Sequence, residues 1–210
     1  MNVILLLLIA LASYFLGGLN GAIIISQAVY RKDIRNFGSG GAGTTNMLRT
    51  FGWAGALMTV GIDVLKSVAA VFIGNWLFGY AGYPAVGRLF AGFCLMMGHI
   101  FPVLYQFKGG KGILCGAVVL VSVDWKAGLI CIGIFAVIVA IFRIVSLGSI
   151  IGAAAFPFLI YFMPGHSNVE AMLALCCSLL AIFMHRGNIG RLVTGREPKI
   201  SVGGKKPPAE

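Results

Sequence analysis

No Asp, Glu, Lys or Arg interrupts the first 30 residues of this chain. The stretch 3–29 has no charged face to show to water, and it exceeds the roughly 20 residues that a helix needs to cross a bilayer. Further apolar runs cover 53–78, 85–106, 113–123, 127–142, 150–163 and 169–184. Segments that are apolar on every side must be surrounded by lipid or by one another. Only 10% of the residues are charged, against about a quarter in a soluble domain. The expected fold is therefore an all-α integral membrane protein of seven transmembrane helices, some short or broken. The first run lacks a basic leader and reads as a retained helix rather than a cleaved signal peptide. Its Gly17, Gly18, Asn20, Gly21, Ser26 and Gln27 mark a face packed on other helices.

Seven crossings put alternate loops on opposite sides. Of the 16 Lys and Arg residues, all but Arg88, Lys126 and Lys66 then fall on one side. The positive-inside rule makes that side cytoplasmic, with the N-terminus outside and the C-terminus inside. A net charge of +10 raises the question of nucleic acid, but basic residues dispersed over short membrane loops do not form a nucleic-acid surface. Run 113–123 is too short to cross alone and 127–142 is also short. Such helices are tolerated where they are buried or line a watery cavity.

The short run follows directly on Phe107-Lys108-Gly109-Gly110-Lys111-Gly112. Glycines there allow successive N–H groups to converge, and the lysines add positive charge, which is how backbone nests and helix N-termini hold phosphate. Three other loops of the same side carry usable groups. Residues 33–49 combine Gly38, Ser39, Gly40, Gly43, Thr45, Asn46 and Arg49, which read either as an anion-binding loop opening a helix or as a flexible connector. Residues 143–149 supply Ser146 and Ser149, and residues 185–191 supply His185, Asn188 and Arg191. Within the second run, Asp63 and Lys66 share a helix face and read as an ion pair or as substrate ligands. His99, just ahead of the glycine turn, reads as a buried structural residue or as a group that orients the turn.

Absences narrow the chemistry. The six acidic residues are scattered, so no oxygen-rich Mg²⁺ site and no metal or other cofactor is indicated. There is no His-x-x-x-x-Asp pairing and no G-x-S-x-G elbow. The five cysteines lie in apolar runs without metal-binding spacing. What remains is a site of positive charge, N–H groups and hydroxyls. It suits an activated substrate whose reaction needs alignment and stabilisation of negative charge.

At these segments the chain resembles the bacterial acyl-phosphate:glycerol-3-phosphate acyltransferases, membrane enzymes that make lysophosphatidic acid. Gly38-Ser39-Gly40, Gly43, Thr45-Asn46 and Arg49 match the family pattern GSGN-x-GATN-x-x-R. Gly98-His99, Pro102 and residues 107–112 match GH-x-x-P followed by FKGGKG. The third motif is matched by His185-Arg186, Asn188-Ile189, Arg191-Leu192, Gly195 and Glu197. Gly41, Thr44, Cys115 and Met184 depart from the usual residues. The resemblance implies acyl phosphate as donor and glycerol 3-phosphate as acceptor, and the missing base points to substrate-assisted transfer without a covalent acyl-enzyme. It places the protein in a bacterial cytoplasmic membrane, among membrane lipids, with its site at the inner face. An acyl-phosphate-forming enzyme would supply it and a lysophosphatidate acyltransferase would take its product.

On that reading Ser39, Thr45, Asn46, Lys111, His185 and Asn188 carry the reaction. Gly38, Gly40, Gly43, Arg49, Lys108, Gly109, Gly110, Gly112, Ser146, Ser149 and Arg191 bind phosphate or substrate, and Asp63, Lys66 and His99 support them. Residues 1–199 form one transmembrane domain, and 200–210 are expected to be a disordered basic tail. The rival reading is an organic-phosphate transporter or channel, whose site would lie at mid-membrane and open to both faces.

Overall fold

The computed structural model describes residues 3–200. The tail expected to be disordered lies outside the described residues except for Ile200. All regular structure is helical: α1 (Val3–Gly18), α2 (Gly21–Ala28), α3 (Thr44–Gly79), α4 (Pro84–Ile100), α5 (Ile113–Val123), α6 (Trp125–Phe142), α7 (Val145–Phe162), α8 (Asn168–Met184) and α9 (Arg186–Val193), with 3₁₀ turns at Ile34–Asn36 and Val103–Tyr105.

Each apolar run of the sequence is a helix, but not every one has membrane length. Five segments are long and apolar enough: Val3–Ala28, Thr44–Gly79, Pro84–Tyr105, Trp125–Phe142 and Val145–Phe162. A sixth is reached if α8 and α9, bent by 58°, count as one span. The seventh run, α5, has 11 residues. It cannot begin before Gly112 and it stops at Asp124, whose carboxylate accepts from the N–H groups of Lys126 and Ala127 and so starts α6.

Breaks in the helices place the loops. Between α1 and α2 the Asn20 side chain accepts from Ile23 N–H and donates to the Ala42 carbonyl, tying the break to the glycine-rich loop. In α3, Gly52 has φ 73° and ψ −167°, a kink that separates an interfacial turn (44–51) from the spanning part (53–79). Helix α4 ends at Ile100, short of the expected residue 106, because Pro102 drives Phe101 out of the helical region. Helix α7 starts at Val145, five residues earlier than its apolar run, so Ser146 and Ser149 stand on its first turns.

Helix α4 is the hub and packs on α1, α3, α5 and α8. At its crossing with α1 the backbones touch: a Cβ at Gly17 would overlap the Leu95 carbonyl, and one at Gly98 the Tyr14 carbonyl. Polarity is arranged as lipid requires. Ser13, Asn20, Ser26, Thr59 and Ser67 are buried, while Leu65, Phe72, Ile141 and Phe162 face outward. A core of Leu89, Val119, Val123, Phe156 and Ile160 fills the end of the bundle farther from the glycine loops.

Candidate active site

A cavity of about 1010 Å³ opens where the loop 38–46, the lysine turn, the start of α7 and the α8–α9 junction meet. Its polar mouth is lined by Gly38, Ser39, Gly43, Thr45, Asn46, Arg49, Gly110, Lys111, Gly112, Ser146, Ser149, His185, Asn188 and Arg191. It runs on into an apolar part between Leu114, Ala117, Leu120, Cys131, Ile132, Phe135 and Ala153. Four stretches far apart in sequence are thus gathered at one place. Asp63 and His99 also reach its wall.

Lys111 is the pivot. Its Nζ donates to Asn188 Oδ1 at 2.7 Å, and Asn188 Nδ2 donates to Glu197 Oε1 at 2.6 Å. Ser146 Oγ reaches the same carboxylate oxygen at 2.7 Å, while Arg191 Nε reaches Oε2 at 2.7 Å. Burial, with help from Arg191 and Arg49, pulls the Lys111 ammonium below the ordinary lysine value, against the pull of Glu197. Burial works against the Glu197 carboxylate, but its bonds from Ser146, Asn188 and Arg191 hold it below the usual range. Glu197 is therefore an organiser that a residue-by-residue reading of the loops leaves out. Its place in the third motif is the signal that could have identified it. It sits on an extended strap, residues 195–200, anchored where Arg49 donates to the Pro198 carbonyl and Ile200 N–H donates to the Arg143 carbonyl.

The lysine turn works differently from the expected nest. The N–H groups of Lys108, Gly109 and Gly110 donate to the carbonyls of Tyr105, Ile100 and His99, so they are not offered to a ligand. The preceding 3₁₀ turn uses the first, and folding back on the end of α4 uses the other two. The N–H groups left without a helix partner are instead those of the first turn of α5, after Gly112 (φ 78°), whose residues Ile113 and Leu114 line the cavity beside Lys111. Lys108 and Gly40 belong to a separate polar hollow of about 360 Å³ with Asp33, Arg35 and Gln106.

Asn46 is also engaged. Its Oδ1 accepts from Ser39 N–H and its Nδ2 donates to the Ile34, Phe37 and Gly41 carbonyls, which fixes the loop that carries Ser39. His185 Nδ1 lies 2.8 Å from the Ala181 carbonyl oxygen and must donate to it. The neutral ring then keeps a lone pair on Nε2, at the cavity.

Under the mouth, Lys66 Nζ is 2.7 Å from Asp63 Oδ1, 2.9 Å from His99 Nδ1 and 3.0 Å from the Gly17 and Leu19 carbonyl oxygens. Asp63, His99 and Cys115 bring ligand atoms within 4.8 Å of one another, but the ammonium bonded to two of them already supplies the positive charge. Cys115 is buried off the cavity, and the thiols on its wall are Cys131 and Cys177.

Fold and site together define a polytopic membrane protein with a cleft at one end whose mouth carries Lys111, Arg49 and Arg191. Residues 7–195 match the family model for glycerol-3-phosphate acyltransferase. A curated glycerol-3-phosphate acyltransferase of Thermoanaerobacter pseudethanolicus is 39% identical over 193 residues, covering 92% of this chain and 94% of the relative. One of Finegoldia magna is 37% identical over 202 residues, covering 95% and 98%. Among solved structures, the glycerol 3-phosphate form of PlsY (YgiH), an integral membrane glycerol 3-phosphate acyltransferase, superposes with a TM-score of 0.83 at 28% identity, covering 93% of this chain and 96% of that one. Its lysophosphatidic acid form gives 0.79 at 29%. The chain belongs to the glycerol-3-phosphate acyltransferase family and is a membrane acyltransferase.

Proposed function

We propose that the protein moves a fatty acyl group from acyl phosphate to the 1-hydroxyl of sn-glycerol 3-phosphate, giving lysophosphatidic acid and inorganic phosphate. The observation that carries this reading is the cavity's two-part character. Lys111, Arg49 and the α5 N-terminus face one mouth, and an apolar channel leads from that mouth into the bundle. Phosphate groups suit the first part and an acyl tail the second. The relatives solved with glycerol 3-phosphate and with lysophosphatidic acid support both.

Ser39, Thr45 and Ser149, whose hydroxyls line the cavity, orient the glycerol. The hydroxyl oxygen attacks the acyl carbon, the C–O bond to phosphate breaks, and phosphate leaves. The hydroxyl proton goes to a phosphate oxygen of the substrates, the route expected for a site without an evident base. The lone pair on His185 Nε2 supports a second route through the protein. A His185→Ala variant separates them: unchanged acyl transfer leaves the phosphate route, whereas a loss confined to the acylation step assigns the base to His185.

The mouth lies at the basic end of the bundle, which supports a cytoplasmic site in the bacterial inner membrane. The packed core of Leu89, Val119, Phe156 and Ile160 beyond the apolar part speaks against a pathway open to both faces. In this scheme an acyl-phosphate-forming enzyme acts before the protein and a lysophosphatidate acyltransferase acts after it. Purified protein mixed with palmitoyl phosphate and glycerol 3-phosphate should release inorganic phosphate. Release of coenzyme A from palmitoyl-CoA, with none of phosphate from palmitoyl phosphate, would overturn the choice of donor.

A further inference from the structure

His99 is only 4% exposed, yet its ring forms part of the cavity wall. Its protonation state follows from its neighbour. Lys66 Nζ sits among the Asp63 carboxylate and the Gly17 and Leu19 carbonyls. A nitrogen surrounded by one anion and two acceptors is an ammonium, and an ammonium has no lone pair to offer. His99 Nδ1, 2.9 Å away, can therefore only accept. Asp63 Oδ1, at 3.8 Å, is too far to take a proton from Nδ1. The ring proton is left on Nε2.

No described residue accepts from that Nε2–H. Among the described residues the only fully enclosed side-chain polar atom without a partner is Ser13 Oγ, so Nε2 is open to the cavity. Gly110 makes room for it, since a Cβ there would overlap His99 Nε2. The N–H thus stands at the wall beside Gly110 and Lys111. Met96 and Val60 also line the cavity. In an acyl phosphate the carbonyl carbon is joined to the phosphorus through a single oxygen, so a donor whose phosphate is held at Lys111 would bring its acyl carbonyl close to this wall.

We infer that His99 is a catalytic hydrogen-bond donor: a neutral imidazole, held by Lys66 as the Nε2–H tautomer, that receives the oxyanion developing on the acyl carbonyl oxygen. The inference rests on the acyl-phosphate reading above. As the glycerol hydroxyl oxygen bonds to the acyl carbon, the carbonyl π pair moves onto oxygen. When that pair returns, the bond to phosphate breaks and phosphate departs. A donor already in place and shielded from water stabilises the intermediate charge with no reorganisation. A neutral ring serves here because it adds no charge to a wall where Lys66 and Asp63 are already matched. Lys66 is then a positioning residue, and the break between α1 and α2, whose carbonyls hold its ammonium, is part of the same device.

The test uses the full-length protein in detergent, labelled with ¹⁵N-histidine. There are only 3 histidines, and the His99 signals are those lost in His99→Gln. The expected spectrum near neutral pH shows Nε2 protonated and Nδ1 bare, and Lys66→Met removes that fixed pattern. In kinetics, His99→Ala should lower kcat by about 100-fold with KM for glycerol 3-phosphate unchanged. His99→Gln, whose amide keeps an N–H, should recover most of the loss. A proton on Nδ1 or an imidazolium in the wild-type spectrum overturns the proposal. So do equal kcat losses in His99→Ala and His99→Gln, or a change confined to KM. If the wild type releases no phosphate from acyl phosphate, the functional reading fails instead, and the spectrum still reports the tautomer.

Discussion

Among the described residues, Lys111 Nζ has no carboxylate in direct contact and is held through the amide of Asn188, so its charge is available at the cavity mouth. Lys111→Met should lower kcat/KM for glycerol 3-phosphate by about 10- to 150-fold, the worth of a hydrogen bond to a charged group. Because burial and the neighbouring arginines lower its pKa, phosphate affinity of the wild type should weaken as pH rises, before the ordinary lysine value of about 10.4 is reached. Steady-state kinetics checks the first and calorimetric titration with glycerol 3-phosphate across that pH range the second. On the opposite side of the bundle, His166 lies between Glu170 (2.7 Å) and Asp124 (3.1 Å). Burial alone would lower its pKa, but the two carboxylates outweigh it and raise it. The stabilisation is complete below the unfolded value of about 6.5 and is lost as pH climbs through the raised folded value. Arg88 of α4 also interacts with Glu170. The melting temperature should therefore fall on alkalinisation in the wild type and less in His166→Gln.

At the scale of elements, the apolar runs translate directly into helices, and the kink at Gly52 coincides with the start of the run at residue 53. Gly52→Ala places a side chain at φ 73°, a cost of about 1 kcal/mol or more. It also swings the turn that carries Thr45, Asn46 and Arg49. Lowered thermal stability together with a larger loss of activity would show that turn to be a working part, and loss of stability alone would not. The four polar loops were legible as a set because each combines glycine with hydroxyl, amide or cationic groups. What was not legible depends on contacts across the chain. The N–H groups of residues 108–110 look available in sequence, but the preceding 3₁₀ turn engages that of Lys108 and the fold-back onto α4 those of Gly109 and Gly110. Ser146 and Ser149 read as loop residues because α7 begins before its apolar run does. Glu197 belongs to a motif, yet nothing local tells that its carboxylate gathers Ser146, Asn188 and Arg191 from three directions.

At the scale of the whole molecule, glycine contacts draw α1 onto α4 and leave the polar groups facing inward. The packed cluster around Phe156 and Ile160 stops the cavity short of the opposite face. A passage with one door makes arrival and departure compete. On the proposed reaction, the ester formed inside would carry the donor's tail and the acceptor's phosphate headgroup, and it would have to leave before either reactant could return. Turnover should therefore slow as lysophosphatidic acid accumulates, with inhibition competitive toward the acyl donor. Initial rates in vesicles preloaded with that lipid measure this directly, and a rate indifferent to loading would mean that a second exit exists.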